Sequence, residues 1–525
     1  MIRCLIVSLI LLFSLQLFGQ KSWVIEFKSE NLAKEYLNQR DLDVVYNKKL
    51  MKSSPVYQVD FLSDVTADDL AKEINILRIT PNVEVKYREI PDDPNYEEQW
   101  SLPLIGAEEA WNEVNHGYTS LGNEIVIAVM EEFIDIFHED IINNIWVNQA
   151  EIPGDGLDND LNGYIDDYYG LHIDSETDQH PKGSHGSKVS GIIGAEGNND
   201  LGIAGLNWKI KIMVISGTNN AADIVQGYDY IYEQRKLYND TWGAEGSFVV
   251  ATNFSAGISK VFGDNFPIWC NMYDRLGEEG VISVCATDNL TYNVDDEGDM
   301  PTTCQSDFLI TVTNTDRSDN KYVDAAFGPI NVDLGAPGTN TYSSSSNNTY
   351  ADFTGTSASC PHVSGAIGLL YAVDCDSLAN LAHLRPKDAA LIMKEALLNN
   401  TESVSSMSEI TTSGGRLDVF KAMSGLSSLC TQGSPFQREK LEIMTINPNP
   451  VKDRFQLKYG FKTFASHRLS IYDSTGKLIY NDEIIPSLFK ESVIELDVSF
   501  LPQGIYVVRI DDGMDRLSTQ FVKLN

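Results

Sequence analysis

Residues 354–365 read TGTSASCPHVSG, a glycine-flanked turn followed by the start of an apolar helix. The turn presents Ser357 as a candidate nucleophile, because Gly355 lets the backbone bend tightly and the helix N-terminus adds a positive dipole near the hydroxyl. Apolar residues continue through Leu370, which predicts a buried helix. A serine near a helix start is also an ordinary N-cap, so this stretch alone leaves both interpretations open.

Two other stretches carry polar side chains that suit the same chemistry. Residues 183–191 read GSHGSKVSG and place His185 between small residues, before another helix. Histidine can take a proton from a serine and return it to a leaving amine, although a single histidine is usually structural. Residues 280–289 read GVISVCATDN, a buried strand that ends in Asn289, whose amide can donate to a developing oxyanion. An asparagine after a strand is more often a turn residue.

The order His185, Asn289, Ser357 resembles that of the subtilisin-like serine peptidases, or subtilases. Three further stretches resemble motifs of that family, namely GIAG at 202–205, NFSAG at 253–257 and DLGAPG at 333–338. The resemblance covers most of the middle of the chain. It implies an α/β domain with a doubly wound, mainly parallel sheet and an active site at the carboxyl ends of the strands.

The resemblance also implies a role for each site residue. Ser357 would attack a peptide carbonyl, and His185 would act first as base and then as acid. Asn289 and the Ser357 backbone N–H would hold the oxyanion. The backbone of a protein or peptide substrate would pair, as an added edge strand, with Ser255, Ala256 and Gly257.

The orienting acid is where this sequence departs from the family. The strand predicted at 125–130 runs into Glu131, where the family has an aspartate. A glutamate keeps the charge that orients the histidine, but its extra methylene needs room in a close-packed site. Phe133 replaces the glycine after the acid, and Asp288 replaces the glycine before Asn289.

Two functions of different classes follow. One is a secreted serine endopeptidase that uses Glu131 as its orienting acid, and the other is a weak or inactive pseudopeptidase that acts as a secreted binding protein. The presence of His185, Asn289 and Ser357 favours the first. Asp135 is a further candidate acid, although it lies beyond the strand end.

An acidic loop lies between the predicted acid and the predicted base. Residues 154–167 read GDGLDNDLNGYIDD, with oxygen ligands on alternate residues and a glycine at the sixth position, as in a calcium loop. The predicted Ca²⁺ ligands are Asp158, Asp160, Asn162, the Tyr164 carbonyl and Asp166. Tyr169 stands where an EF-hand has its closing glutamate, so Asp167 or a residue elsewhere would complete the shell. A solvated acidic turn is the alternative.

The N-terminal part predicts two segments. Residues 1–19 have an early arginine, a short apolar run and a small terminal glycine, which predict a signal peptide. Residues 20–92 predict a small α/β domain, with strands at 24–27, 57–61 and 83–87 and a helix at 67–77. Its position resembles that of a subtilase propeptide, and an N-terminal interaction domain is the alternative. The peptidase domain is then expected to span 93–430.

The composition of the chain changes after Cys430. Residues 431–440 predict a linker, and 441–525 predict a β-sandwich of short strands that alternate apolar and polar residues. A resemblance to type IX secretion sorting domains rests on the stretches at 446–450, 476–480, 504–506 and 521–524. It implies the type IX secretion machinery as a partner and a secreted or cell-surface location. A carbohydrate-binding or adhesive sandwich is the alternative.

Composition agrees with this location. The chain has 525 residues and a formal net charge of -36, which disfavours nucleic acid and anionic membranes as partners. After the signal peptide no segment approaches about 18 consecutive apolar residues, so no transmembrane segment is predicted in the mature protein. Cys375 and Cys430 are suggested as a disulfide only because they bracket one helical segment. His362 is expected to pack inside the helix behind Ser357.

Overall fold

The computed structural model describes residues 20–39, 43–82, 90–431, 442–460, 467–484, 492–511 and 516–524. The predicted signal peptide, the predicted strand at 83–87 and residues 432–440 of the predicted linker lie outside the described residues. The chain divides into two compact units, with the division after Tyr87.

In the described residues of the N-terminal unit there are one antiparallel sheet and two helices. Its elements are β1 (Gln20–Phe27), α1 (Glu30–Gln39), β2 (Val44–Lys49), β3 (Val56–Val65), α2 (Ala67–Ala71) and β4 (Ile76–Pro81). The strand order is β2-β3-β1-β4. Trp23, Ile25 and Phe27 alternate along β1 and point into the apolar core of this unit.

The helix predicted at 67–77 is wrong in its second half. The Thr66 side chain caps α2, but the helix ends at Ala71. Ile76 instead begins β4, in register with Phe27 of β1. Pairing with the sheet thus overrides the local helical pattern.

The second unit begins with a region built on a nine-stranded sheet. The strands of this region are β5 (Val126–Glu131), β6 (Gly170–His172), β7 (Lys211–Ser216), β8 (Val249–Phe254), β9 (Ile258–Ser259), β10 (Ile282–Ala286), β11 (Asp299–Met300), β12 (Leu309–Thr315), β13 (Leu334–Pro337), β14 (Thr341–Ser345), β15 (Thr349–Phe353), β16 (Glu402–Ser403) and β17 (Gly415–Arg416). The sheet order is β16-β17-β13-β12-β10-β8-β5-β7-β6, and its pairings are parallel except that of the edge strand β16.

Helices cover both faces of this sheet. The helices of this region are α3 (Ser101–Leu104), α4 (Ala107–Trp111), α5 (Ser184–Gly194), α6 (Ala221–Asp240), α7 (Pro267–Glu278), α8 (Val294–Glu297), α9 (Thr356–Tyr371), α10 (Asp376–Leu384), α11 (Pro386–Asn399) and α12 (Val419–Thr431), with 3₁₀ turns at Tyr96–Glu98, Ile142–Asn144 and Gly263–Asn265. Ile127 and Val129 of β5 face the core of α5 and α9, whereas Ala128 and Met130 face that of α6 and α7. The predicted doubly wound, mainly parallel α/β fold is confirmed.

The described residues of the C-terminal region form two antiparallel sheets around one apolar core. Its strands are β18 (Glu442–Asn447), β19 (Arg454–Gly460), β20 (His467–Asp473), β21 (Leu478–Ile484), β22 (Ser492–Asp497), β23 (Gly504–Asp511) and β24 (Arg516–Lys523). One sheet has the order β18-β19-β22 and the other β21-β20-β23-β24. Phe455 and Leu457 of the first sheet share a core with Ile471, Val508 and Phe521 of the second. The predicted β-sandwich is confirmed.

Two disulfides link parts of the region with the nine-stranded sheet. They are Cys270–Cys304 and Cys375–Cys430, and the second is the pair that the sequence suggested. Cys285 and Cys360 are buried and free. Disulfides suit the oxidising surroundings of a secreted protein.

Candidate active site

The candidate site lies at the carboxyl ends of three neighbouring strands, β5, β8 and β10. Glu131 is the last residue of β5, Ser255 follows β8 directly, and Asn289 follows β10. His185 and Ser357 lie in the first turns of α5 and α9, and these two helices pack on the same face of the sheet. The fold therefore brings the sequence-predicted residues to one edge of the sheet.

Ser357 is held against the segment that follows β8. Gly355, just before α9, has a φ of 141°, a conformation that L side chains rarely adopt. Ser357 is 8% exposed, and its hydroxyl donates to the Ser255 carbonyl at 3.0 Å. Ser255 Oγ in turn donates to the Ser357 carbonyl at 3.1 Å. This reciprocal pair fixes the candidate nucleophile beside the candidate substrate-binding segment.

The Glu131 carboxylate reaches the His185 ring, with its Oε2 2.7 Å from His185 Nδ1. Gly186 lets the start of α5 approach the end of β5 closely, because an added Cβ there would lie 3.1 Å from Glu131 Cβ and 2.4 Å from the Phe133 carbonyl oxygen. Glu131 is 7% exposed, and its Oε1 is buried with no hydrogen-bond partner among the described residues. Such a carboxylate is stabilised when the imidazole beside it is protonated.

The pKa of His185 is raised above its usual 6.5. Partial burial lowers this pKa, but the charge of Glu131 and the hydrogen bond to it raise it by more. The Phe353 ring lies edge-on to the imidazole, with ring centroids 5.2 Å apart. Since a general base must be neutral, the raised pKa moves the acid limb of any reaction that uses His185 to higher pH.

The Asn289 amide is oriented by the turn before α9. Thr356 N–H donates to Asn289 Oδ1 at 2.9 Å, so the side-chain carbonyl must face that turn. The amide nitrogen then faces away from the turn, and Asn289 is exposed to solvent. Nδ2 is therefore a donor available to an oxyanion at Ser357.

Two cavities share a wall at this site. One has a volume of about 200 Å³ and opens beside Ser357 and Asn289. The other has a volume of about 640 Å³ and is lined by Glu131 and His185. Residues 255–256 line both cavities, so the candidate nucleophile and base flank one continuous surface.

The predicted substrate-binding segment, Ser255 to Gly257, is exposed after Ser255. Gly257 approaches the chain so closely that an added Cβ would lie 2.4 Å from the Met300 carbonyl oxygen. The next residues form β9, which pairs with β11. The first residue of β11, Asp299, also lines the smaller cavity, and sequence reasoning missed it. Asp299 comes to the site through strand pairing, so no local motif marks it.

Two other titratable side chains near the site are engaged elsewhere. Asp135 Oδ2 accepts a hydrogen bond from Lys182 Nζ at 3.0 Å, so this acid is committed to an ion pair and not to His185. His362 is fully buried, and both of its ring nitrogens have hydrogen-bond partners in α9 and α3. Burial lowers the pKa of His362 to about 4, which suits the expected packing role.

The acidic loop brings together a set of carboxylates that differs from the predicted calcium ligands. Asp158 and Asp166 accept hydrogen bonds from backbone N–H groups of the loop itself. Carboxylate oxygens of Glu151, Asp160 and Asp167 instead all lie within 4.8 Å of one another. Nothing in the local pattern singled out Glu151, which precedes the motif.

Neighbouring side chains hold this cluster in place. Asn162 Nδ2 donates to Asp160 Oδ2 and to Asp167 Oδ2, each at 3.0 Å, and the Tyr164 N–H donates to Asn162 Oδ1. Burial raises the pKa of Asp167 to about 6. Glu151 is 5% exposed, and its Oε2 has no hydrogen-bond partner in the part of the chain that the structure describes. The cluster therefore holds negative charge that its surroundings leave uncompensated.

Comparison with known proteins identifies two regions of the chain. The sequence model of the subtilase family matches residues 122–424, and that of the secretion system C-terminal sorting domain matches residues 445–524. Subtilisin-like protease 1 of Plasmodium berghei (strain Anka) is 26% identical over 349 residues, which cover 62% of this chain and 53% of that protein. The protein of the same name from Plasmodium vivax is 29% identical over 343 residues, covering 62% and 50%. The chain thus spans about half the length of these curated relatives.

A solved structure of the epidermin leader peptide processing serine protease from Staphylococcus aureus is 18% identical, with a TM-score of 0.46, and the match covers 78% of this chain and 99% of that one. The sorting-domain match indicates secretion or attachment at the cell surface. Within the described ranges, every helix is too short or too polar to span a membrane.

Proposed function

The chain belongs to the subtilase family of serine peptidases, and on that premise we propose that it is a secreted serine endopeptidase. Ser357 attacks the carbonyl of a peptide bond, and His185 takes the serine proton and later returns it to the leaving amine. Glu131 orients the imidazole and stabilises its charged form. Asn289 Nδ2 and the Ser357 backbone N–H hold the oxyanion of the tetrahedral intermediate.

One contact carries this proposal, the 2.7 Å hydrogen bond between Glu131 Oε2 and His185 Nδ1. A carboxylate at Nδ1 keeps the proton on that nitrogen, which leaves Nε2 as the acceptor that a general base needs. The same contact raises the pKa of His185 against the effect of burial, so the imidazolium that forms during attack is stabilised.

Labelling by a fluorophosphonate, which reacts with an activated serine, tests the proposal. The secreted wild-type protein should take the label and cleave peptides, and Ser357→Ala should lose both, with kcat lower by about 10⁶-fold. Ser318→Ala, which alters an exposed serine, is the matched control and should behave like the wild type. Labelling that persists in Ser357→Ala would rule out Ser357 as the nucleophile.

One observation favours a second candidate, a pseudopeptidase that binds proteins without cleaving them. The Ser357 hydroxyl donates to the Ser255 carbonyl instead of to His185. Catalysis requires the hydroxyl to leave this acceptor and turn toward Nε2, and rotation about the Ser357 Cα–Cβ bond is the motion available to it. A folded secreted protein that binds peptides but takes no label would support the pseudopeptidase.

We also propose that a structural Ca²⁺ ion binds between Glu151, Asp160 and Asp167. Carboxylate oxygens are the ligands that calcium prefers, and three of them within 4.8 Å of one another repel unless a cation lies between them. The buried Glu151 Oε2 has no hydrogen-bond partner among the described residues, as expected of a metal ligand. Bound there, calcium supplies charge that stabilises the native loop, which Tyr230 ties to α6 through its 2.5 Å hydrogen bond to Asp167.

For the ends of the chain, we propose removal of a propeptide and export by the type IX secretion machinery. Residues 20–92 would assist folding and then be cleaved off, and 441–525 would be recognised during export. Mass and N-terminal sequence of the secreted protein test both steps. The wild type should begin near residue 93, Ser357→Ala should retain the propeptide if removal is autocatalytic, and deletion of 441–525 should keep the protein out of the medium.

A further inference from the structure

We propose that the 200 Å³ cavity beside Ser357 selects a basic side chain, arginine or lysine, on the substrate residue whose carbonyl is attacked. The inference rests on the peptidase function proposed above. Asp288 and Asp299 are the ionisable side chains among the residues that line this cavity, and both are acids. The positions of the two acids relative to the reacting groups, and the lack of a lysine or arginine paired with either acid among the described residues, carry the argument.

The position of the cavity decides which substrate residue enters it. An attacked carbonyl must place its carbon at Ser357 Oγ and its oxygen near Asn289 Nδ2. Both of these residues line the cavity, together with Ser255 to Gly257, along which the substrate backbone is proposed to run. A side chain on the residue that owns this carbonyl therefore has the cavity directly beneath it.

Asp299 is a fixed, buried acid in the cavity wall. It is 2% exposed and begins β11, where it pairs with Ser259 of β9. Its Oδ2 accepts hydrogen bonds from Thr302 Oγ1 at 2.6 Å and from the Asp288 N–H at 3.1 Å. Because Oδ2 is held from two directions, the carboxylate has one defined orientation, and Oδ1 is left to meet other groups.

The hydroxyl of Tyr292 lies within hydrogen-bond distance of both acids. The Tyr292 hydroxyl lies 3.0 Å from Asp288 Oδ2 and 3.4 Å from Asp299 Oδ1. A tyrosine hydroxyl donates one hydrogen bond, so one of these two oxygens stays without that donor. An unpaired buried carboxylate oxygen is costly, and a guanidinium offers several N–H donors together with a positive charge. A basic substrate side chain would supply both the missing hydrogen-bond donor and the missing positive charge.

The charge of the two acids is not neutralised by the chain itself. Lys260 is the cation beside Tyr292, lying 5.1 Å from the centre of its ring, but its ammonium pairs with Glu297 at 2.6 Å and does not line the cavity. Burial raises the pKa of Asp299 to about 7, and the charge of Asp288 adds to this rise. An apolar or acidic substrate side chain would bury these acids without a partner and is disfavoured.

Binding of an aromatic amidine tests the cavity independently of catalysis. The fluorescent probe p-aminobenzamidine should bind Ser357→Ala, and the double variant Ser357→Ala/Asp299→Asn should bind it about 10- to 100-fold more weakly, the range expected for one charge-assisted hydrogen bond. Asp296→Asn in the Ser357→Ala background is the matched control, since it removes a nearby exposed acid that does not line the cavity. No binding, or equal binding with and without Asp299, overturns the inference.

Cleavage of peptides that differ at one residue tests the same inference in the active protein. With arginine, lysine, norleucine or glutamate before the scissile bond, wild-type kcat/KM should be about 10- to 100-fold higher for arginine than for norleucine, and Asp299→Asn should reduce this ratio. Preference for norleucine or glutamate overturns the inference while leaving the peptidase function in place. A protein that neither reacts with a fluorophosphonate nor cleaves peptides would overturn the peptidase function. If that protein still bound the amidine in a way that depends on Asp299, the assignment of the cavity would be supported.

Discussion

Two groups of acids in this molecule share a deficit of positive charge but differ in how their carboxylates are arranged. The first group, Glu151, Asp160 and Asp167, lies in the loop before α5, and its carboxylate oxygens converge within 4.8 Å. The second, Asp288 and Asp299, lines a cavity of about 200 Å³. Among the described residues, no lysine or arginine forms an ion pair with any of the five.

This difference in arrangement separates a site for a bound ion from a site for a substrate side chain. The three carboxylate oxygens of the loop cluster converge closely enough to hold a single ion, whereas Asp288 and Asp299 line a cavity that can admit a side chain. Glu131 is a third case, because the group that it stabilises, the His185 imidazole, belongs to the chain itself. We therefore expect the three sets of acids to affect three separate properties, namely stability, substrate choice and rate.

The largest effect is expected from Glu131, the acid whose partner is internal. Glu131→Gln should lower kcat by about 10³- to 10⁴-fold, because an amide neither holds the His185 tautomer nor stabilises the imidazolium. The acid limb of kcat/KM should also move to lower pH, since the charge that raises the pKa of His185 is gone. Profiles of kcat and kcat/KM against pH measure both effects.

Two further variants sharpen this result. Glu139→Gln neutralises an exposed acid after the same strand and is the matched control. Glu131→Asp keeps the charge but draws it back by one methylene from the 2.7 Å contact, so its loss should be smaller than that of Glu131→Gln. A wild-type profile in Glu131→Gln would show that this acid does not orient His185.

Removal of calcium should have the next largest effect, and it should act on stability. A ligand at about 100 times its Kd stabilises the native state by about 2.7 kcal/mol, which corresponds to a Tm shift of about 3–5 °C for a domain of this size. Thermal unfolding with calcium and with a chelator measures this shift. Asp160→Asn should abolish the response to calcium, whereas Asp299→Asn should keep it.

The same experiment can show whether calcium binds to the loop cluster and not to the acids of the cavity. If calcium no longer raises the Tm of Asp299→Asn, the ion binds in the cavity. Asp288 and Asp299 would then be metal ligands and not a binding site for a substrate side chain. If Asp160→Asn responds to calcium as the wild type does, the loop cluster is not the site. Because the two groups share no residue, the two variants should report independently.

The parts of the site that sequence could predict are those carried by continuous stretches. His185 and Ser357 each lie at a helix start with a glycine nearby, and Asn289 follows a buried strand, so local pattern makes them candidates and the resemblance of their order to that of the subtilases suggests their roles. The fold class was implied by the same resemblance, which also placed the site at the carboxyl ends of the strands of a parallel sheet.

The parts that escaped prediction depend on contacts between distant residues. Asp299 reaches the cavity because β11 pairs with β9, and Glu151 joins the acidic loop from outside the motif. The helix expected at 67–77 fails for the same reason, since Ile76 pairs with Phe27 of a distant strand. Hydrophobic periodicity and helix propensity depend on residues that are close along the chain. The positions of these residues depend instead on contacts with residues that are distant in sequence.

The smallest expected effect is a change of substrate preference with pH. Asp299 faces Asp288, Tyr292 and Thr302, with buried Cys285 on β10 behind it. Its pKa is raised to about 7 by burial, so it is largely neutral at pH 6 and largely charged at pH 8. The ratio of kcat/KM for arginine over norleucine peptides should therefore rise by up to about tenfold between these two values.

The ratio of kcat/KM for the two peptides separates the effect of Asp299 from the effects of the other titrating groups. Protonation of His185 lowers the rate for both peptides equally and cancels, and burial raises the pKa of Cys285 to about 12, well outside this interval. The Lys260 charge stays paired with Glu297 throughout. The ratio should be flat in Asp299→Asn, and a flat or falling ratio in the wild type would mean that the charge of Asp299 takes no part in choosing the substrate. The cavity would then have two acids but would not bind a basic substrate side chain, and the proposed difference between it and the calcium loop would no longer hold.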